Sequence, residues 1–273
     1  MTYDHELCIL FMYHKCDELT LLHLNSLRKH NQDACIVPIT DTVPELIPGS
    51  VDVSQFPSSW ENVSKWTGID TTLYRWFENR TFNAMRYVII EYDCLCTVNL
   101  NEFYTDARDA DIIGNDFFTL SENPHWRYFR KDELRKLPKE DIAFASGIVP
   151  FTCNMFAHEA LEKIVANVYK HDVFCELRLG TTIKKLNLNF QRLPISKRNT
   201  ICYHPYPWQA LRPGLFHGIK SLDHNAGRPR QPGVIAANIY EFLRSLTPNR
   251  YFLPFYLQGI RQGLVRRLRS VLS

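Results

Sequence analysis

With 273 residues, 45% of them hydrophobic, the chain can bury a sizeable core, and one domain of roughly 200 to 250 residues with an appendage is the expected division. A net charge of +3 is too small to imply a nucleic-acid partner, and eight cysteines without a CxxC pair suggest neither a zinc ribbon nor a disulfide scaffold. Most of them lie in apolar runs, where cysteine acts as a small hydrophobe. No apolar run approaches the length of a membrane-spanning helix, and the opening MTYDHELCILFMYH carries acids where a signal peptide needs bases, so an intracellular, reduced setting is expected.

Residues 8–13 (CILFMY) read as a buried strand, and 17–29 as a helix with Leu19, Leu22, Leu24 and Leu27 on one face and Asp17 or Cys16 as cap. Residues 34–39 are a second strand, ending in Thr40 and Asp41. This is a β-α-β opening. Tyr13 and Asp41 stand at the C-terminal ends of their strands, where an α/β domain grips a nucleotide, the ring stacking on a base and the carboxylate accepting from a ribose hydroxyl. As isolated residues both read first as structural. Residues 44–49 break the pattern and 51–53 form a short strand. The polar stretch 60–68 holds Lys65 and Trp66, a candidate ligand loop. Asp70 can cap a helix through Arg80, with Leu73, Trp76 and Phe77 inward and Arg75 available to a ligand.

Residues 87–90 (YVII) are unbroken by polar residues, as in a strand covered on both faces, and they run into Glu91 and Asp93. In an extended chain residues two apart point the same way, so the two carboxylates can converge on one cation, and oxygen ligands suit Mg²⁺ or Mn²⁺. A metal there would hold a diphosphate; the bland alternative is a pair of acids ending a strand at the surface.

Residues 100–107 read as a short helix, and 111–114 with Phe117 and Phe118 as a short strand carrying Asp116. Between 121 and 139, Trp126, Tyr128 and Phe129 alternate with Arg127, Arg130 and Lys131, a mixture found on nucleic-acid surfaces, but nothing elsewhere continues the patch. Ser146-Gly147 precedes residues 151–154 and a helix over 158–169 with Leu161, Ile164, Val165 and Val168 inward; small residues before a helix permit close approach to a ligand. Residues 172–186 read as another helix. Within it Glu176 lies amid Phe174, Cys175 and Leu177, and a carboxylic acid buried there has its charged form disfavoured, which suits a general base; a solvated helix glutamate is the alternative. Residues 190–193 and 201–203 are strand candidates. The loop 211–221 supplies His217, Gly218 and Lys220: an imidazole to complete an oxygen-rich metal site, a glycine for close approach to phosphate and a cation to neutralise it.

Residues 227–233 (GRPRQPG) form a linker, dividing a domain over 1–226 from a C-terminal segment over 227–273. A short amphipathic helix is expected over 234–246. Beyond it Leu257, Ile260, Leu264, Leu268 and Val271 share a helical stripe, with five arginines and no acid from Arg250 on. Such a helix suits an anionic membrane face, the core or a second subunit.

Taken in order, these features resemble glycosyltransferases of the GT-A fold over about residues 7–221. In that family a DxD motif holds Mn²⁺ or Mg²⁺ against the diphosphate of a nucleotide sugar; Glu91-Tyr92-Asp93 stands in its place, with Glu91 replacing the first aspartate. His217-Gly-Ile-Lys220 is similar to the late His-x-Gly-x-x-Lys element of glycogenin-like and lipopolysaccharide galactosyltransferases, shorter by two residues. The resemblance implies that Asp93, Glu91 and His217 are metal ligands, and that Tyr13, Asp41, Lys65, Arg75 and Lys220 contact the donor nucleotide. Residues 144–156 are similar to the family's acceptor-side loop, and Glu176 falls where inverting members carry the base, with Asp116 the runner-up. The fold it implies is a GT-A-like α/β/α sandwich with a mostly parallel sheet plus a C-terminal helical appendage. The activity it implies is transfer from a nucleotide sugar, UDP-linked above others, to a glycan or lipid-linked acceptor, in the cytoplasm or on the inner face of a membrane. A noncatalytic membrane-peripheral binding protein on a degenerate version of the fold is the alternative that Glu91 keeps open.

Overall fold

The computed structural model describes residues 2–42, 46–57, 59–60, 63–64, 68–105, 109–198, 201 and 213–219. In chain order the strands and helices are β1 (His5–Met12), α1 (Glu18–His30), β2 (Cys35–Thr40), β3 (Val51–Asp52), α2 (Thr71–Glu78), β4 (Ala84–Glu91), β5 (Leu95–Cys96), α3 (Leu100–Phe103), β6 (Ile112–Gly114), β7 (Asp116–Thr119), α4 (Lys131–Leu134), β8 (Ser146–Val149), β9 (Met155–Ala157), α5 (His158–Asn167), α6 (Cys175–Lys185), β10 (Phe190–Arg192), α7 (Ile195–Arg198) and β11 (Leu215–Phe216). They fall into two compact units, one of residues 1–16, 33–92 and 100–194, the other of residues 17–32, 93–99 and the described residues from 195 on.

The first unit carries a seven-stranded sheet in the order β10-β6-β9-β4-β1-β2-β3. β1 runs parallel between β2 and β4, Leu10 lying opposite Val37 on one side and Ile89 on the other. β3 continues parallel to β2 and β10 parallel to β6, while β9 opposes both β4 and β6. The sheet is therefore mostly parallel, the α/β class that the residue pattern implies. Cys8, Leu10, Met12, Tyr87 and Ile89 join Leu73, Trp76 and Phe77 of α2 and Leu161 and Ile164 of α5 in one core cluster. Ile9, Phe11, Val88 and Ile90, which alternate with them, are fully buried too. Burial on both faces is why these strands read as continuous apolar runs, and each large side chain so buried contributes about 1.5–3 kcal/mol.

Two readings change. Ser146-Gly147 does not form a loop before a helix but begins β8, which pairs antiparallel with β7. A Cβ on Gly147 would stand 2.8 Å from the Trp126 ring and 2.9 Å from Phe118, so the glycine makes room for aromatic packing. The aromatic residues of 121–139 face inward for the same reason: Trp126 meets Phe118, Tyr128 and Phe129 edge-on, and Tyr128 stacks on Phe174. Asp70 takes the N-cap position of α2, but its side chain makes no cap hydrogen bond. Its Oδ2 lies 3.1 Å from Arg178 Nε, both side chains wholly buried, and the Arg178 guanidinium also donates to the carbonyls of His171 (3.2 Å) and Val173 (2.6 Å).

In the second unit α1 starts as expected, Asp17 Oδ1 accepting from the Thr20 N–H at 2.8 Å. Leu22, Leu24 and Leu27 are buried. Ser26 Oγ donates to the Cys96 carbonyl at 2.6 Å, and Asn31 Nδ2 donates to Leu27 and Val98 carbonyls at 3.0 and 3.2 Å, tying the helix to β5. β5 pairs antiparallel with β11, Cys96 opposite Leu215 and Leu95 opposite Phe216. The linker and C-terminal helix expected beyond 226 lie outside the described residues. Among the described residues no helix is long and apolar enough to cross a membrane.

Candidate functional site

In the second unit, a two-strand ladder creates a cluster that no local run of sequence contains. Because Phe216 pairs with Leu95, the residues just past that pair, His217 and Cys94, come together where the ladder ends. The Ile219 N–H donates to the Asp93 carbonyl at 2.9 Å, with Gly218 at φ +83° making the bend between. A left-handed backbone of this kind favours glycine. At the other end of the ladder the Thr97 N–H donates to the Gly214 carbonyl at 2.9 Å. Held at both ends, the ladder brings Asp93, Cys94 and His217 together, all buried, each offering one donor atom within 4.8 Å of the others. His217 Nε2 lies 3.7 Å from Asp93 Oδ1, and Cys94 Sγ lies 4.0 Å from the same oxygen.

One ion can touch two donors only if their separation does not exceed the sum of its two bonds, about 4.1 Å for an oxygen–nitrogen pair and about 4.4 Å for oxygen–sulfur. Both observed separations fall inside those limits, so Asp93 is placed to share one divalent cation with His217 and with Cys94. Two of the three are expected ligands. Glu91 is not a member of this cluster. Cys94 is, although its apolar surroundings in sequence suit a small hydrophobe.

In the first unit, the order β2-β1-β4 places the reversal of strand order between β1 and β4, and open α/β sheets bind ligands at the carboxyl ends of strands at such a point. Tyr13 leaves β1 there and Asp41 leaves β2. Tyr13 is buried, its hydroxyl donating to Ser50 Oγ at 2.8 Å and accepting from the Ile47 N–H at 3.1 Å. Asp41 is half-buried and accepts from Thr42 Oγ1 at 3.0 Å. Arg75 braces the preceding loop, donating to the carbonyls of Ser54 (3.3 Å) and Phe56 (2.8 Å). Lys65 and Lys220 lie outside the described residues.

Glu91 ends β4, and its N–H donates to Thr152 Oγ1 at 3.0 Å, while Thr152 Oγ1 donates to the Ile89 carbonyl at 3.1 Å. One residue earlier, the Phe151 N–H donates to Glu176 Oε1 at 3.2 Å. The loop 151–154 thus joins the two acids, and both of them, after burial and Asp70, push the Cys175 thiol well above its ordinary range. The loop is held by Asn154, whose Nδ2 donates to the carbonyls of Pro150 (2.8 Å) and Phe151 (2.7 Å), and Cys153 takes φ +61° within it. Neither Thr152 nor Asn154 stands out in sequence; their importance comes from the pairing of β9 with β4. Glu176 is 5% exposed and sits in the first turn of α6, where the helix dipole favours an anion. Asp116 lies at the start of β7 opposite Val149 and accepts a long bond of 3.5 Å from Asn115 Nδ2.

No protein-family model and no curated protein matches the chain. Solved structures do. The galactosyltransferase LgtC, in the form of an active-site mutant, is 13% identical over 88% of this chain and 96% of that one, with a TM-score of 0.41. Mouse xyloside xylosyltransferase 1 is 11% identical over 83% and 99%, also at 0.41. The glycosyltransferase GlyE of Streptococcus pneumoniae TIGR4 is 12% identical over 95% of this chain and 64% of that one, again at 0.41. Identities and TM-scores of this size bring no activity with them.

Proposed function

We propose that the chain is a metal-dependent glycosyltransferase that moves a sugar from a nucleoside-diphosphate sugar, UDP-linked above others, to a hydroxyl of a glycan or lipid-linked acceptor with inversion. The observation that supports this reading is the buried convergence of Asp93, Cys94 and His217 in the chain just after a central parallel strand. Asp93 and His217 would hold a divalent cation, Mn²⁺ or Mg²⁺ on the family resemblance. When bound, such a cation neutralises charge on a departing diphosphate. Tyr13 and Asp41 would position the base and ribose, Arg75 and Lys65 would contact the donor nucleotide, and Lys220 would contact phosphate. Glu176 would take the proton from the acceptor hydroxyl, with Asp116 second choice. Glu91, through its backbone bond to Thr152, would set the loop that carries the Glu176 contact.

The test is a panel of nucleotide sugars scored for Mn²⁺-dependent release of nucleoside diphosphate. Asp93→Ala should reduce turnover by about 100-fold or more. Turnover at the wild-type rate would show the metal assignment to be wrong. UDP at about 100 times its Kd should stabilise the wild type by about 2.7 kcal/mol, and only when Mn²⁺ is present. Such binding without turnover across the panel would favour the noncatalytic alternative.

A further inference from the structure

The donor set in the second unit differs from the oxygen-rich one that Mn²⁺ or Mg²⁺ prefers, because one of its three converging atoms is a sulfur. We propose that Cys94 is itself a metal ligand, and that the Asp93-Cys94-His217 site therefore selects a borderline, thiol-accepting divalent ion such as Zn²⁺ or Co²⁺ over Mg²⁺. This rests on the reading of Asp93 and His217 as metal ligands but not on the identity of any sugar or acceptor.

Three observations converge on it. Cys94 Sγ stands 4.0 Å from Asp93 Oδ1, inside the reach of one ion bonded to both. The sulfur, carboxylate and imidazole all lie within 4.8 Å of one another, and all three residues are buried. Their grouping is fixed by the β5–β11 ladder and the Ile219–Asp93 hydrogen bond, so the donors are preorganised rather than gathered from mobile loops. Carboxylate and water ligands suit Mg²⁺ and Mn²⁺, imidazole suits Zn²⁺ and Co²⁺, and a thiolate tips the set further toward the softer ions. Cys94 enters as the thiolate, so each ion bound displaces the thiol proton to solvent as the sulfur–metal bond forms; no electron transfer is involved.

The experiment titrates the full metal-free chain with Co²⁺ and records its absorption. The expected result is a set of visible ligand-field bands together with sulfur-to-cobalt charge transfer in the near ultraviolet. In Cys94→Ser the charge-transfer band should vanish while ligand-field bands persist, and Zn²⁺ affinity should fall at least about tenfold relative to Mn²⁺ affinity. In His217→Ala both features should weaken together, with circular dichroism showing that each variant is folded. A charge-transfer band that survives in Cys94→Ser, or ligand-field bands without charge transfer in the wild type, would overturn the role of Cys94 while leaving the metal reading standing. No cobalt spectrum in any of the proteins would remove the metal site itself.

Discussion

Gly180 shows how closely single residues control the approach of elements here. It lies in the middle of α6, and a Cβ at that position would collide with the Ser146 carbonyl and stand 2.9 Å from the Gly147 carbonyl carbon in β8. Backbone cannot yield as a flexible side chain does. Gly180→Ala, which would stabilise an exposed helix, should therefore destabilise this protein by about 1–3 kcal/mol, read as a lowered Tm. Gly114 permits an equally close approach by the Asn154 side chain, the group that holds the 151–154 loop. At the same scale, the surroundings of Cys94 are decided by what the opposite strand carries: the thiol next to Asp93 meets an imidazole because His217 follows β11.

At the scale of elements, α6 is anchored at both ends by polar groups. Near its start the Arg178 guanidinium joins Asp70, at the head of α2, to the carbonyls that lead into α6. Burial pushes the Asp70 carboxyl up, and Arg178 opposes that. A buried pair of this kind adds little net stability compared with apolar packing, but removing one partner strands the other charge. Asp70→Ala should thus cost about 3–5 kcal/mol in denaturant unfolding, and Asp70→Leu combined with Arg178→Met should recover most of it. At the far end of α6, Lys185 Nζ lies 2.8 Å from Asp141 Oδ2, which also accepts from the Tyr169 hydroxyl at 2.8 Å. Burial raises the Asp141 carboxyl, yet these two hydrogen bonds outweigh it and hold the pKa below its ordinary value. A depressed folded-state pKa gives stability that is complete above the unfolded carboxylate range and is lost as pH falls through the folded value. Thermal unfolding followed from pH 6 downward should consequently show a steeper acid limb, beginning near pH ~4 to 5, for the wild type than for Asp141→Asn.

At the scale of the molecule, the sheet of the first unit places β1 and β4 at its centre and β3 and β10 at its ends. Amides of Ile9, Leu10 and Ile89 should exchange with solvent only through global unfolding, with opening free energies of about 5–15 kcal/mol, whereas those of β10 should exchange through local opening. Comparable protection in β10 would show that the sheet opens as one body. The central strands are legible in the residue pattern because both their faces are covered and their apolar runs are unbroken. Asp17 is legible as a cap, and the inward stripes of α2 and α5 as helical period. Strands of two to four residues have too few positions to show a period, which is why β8 looks like a loop in sequence and why β9, β5 and β11 leave no pattern there.

Residue order alone determined that a parallel α/β core would form and that acids would follow its central strand, since burial on two faces and the end of a strand leave marks within a few neighbouring positions. Only the tertiary structure decided that Asp93 lies beside the Cys94 thiol and the His217 imidazole, and that Glu176 and Glu91 share a loop. Those outcomes depend on pairings between segments far apart in the chain, whose partners are selected by packing and backbone hydrogen bonding rather than by any local pattern.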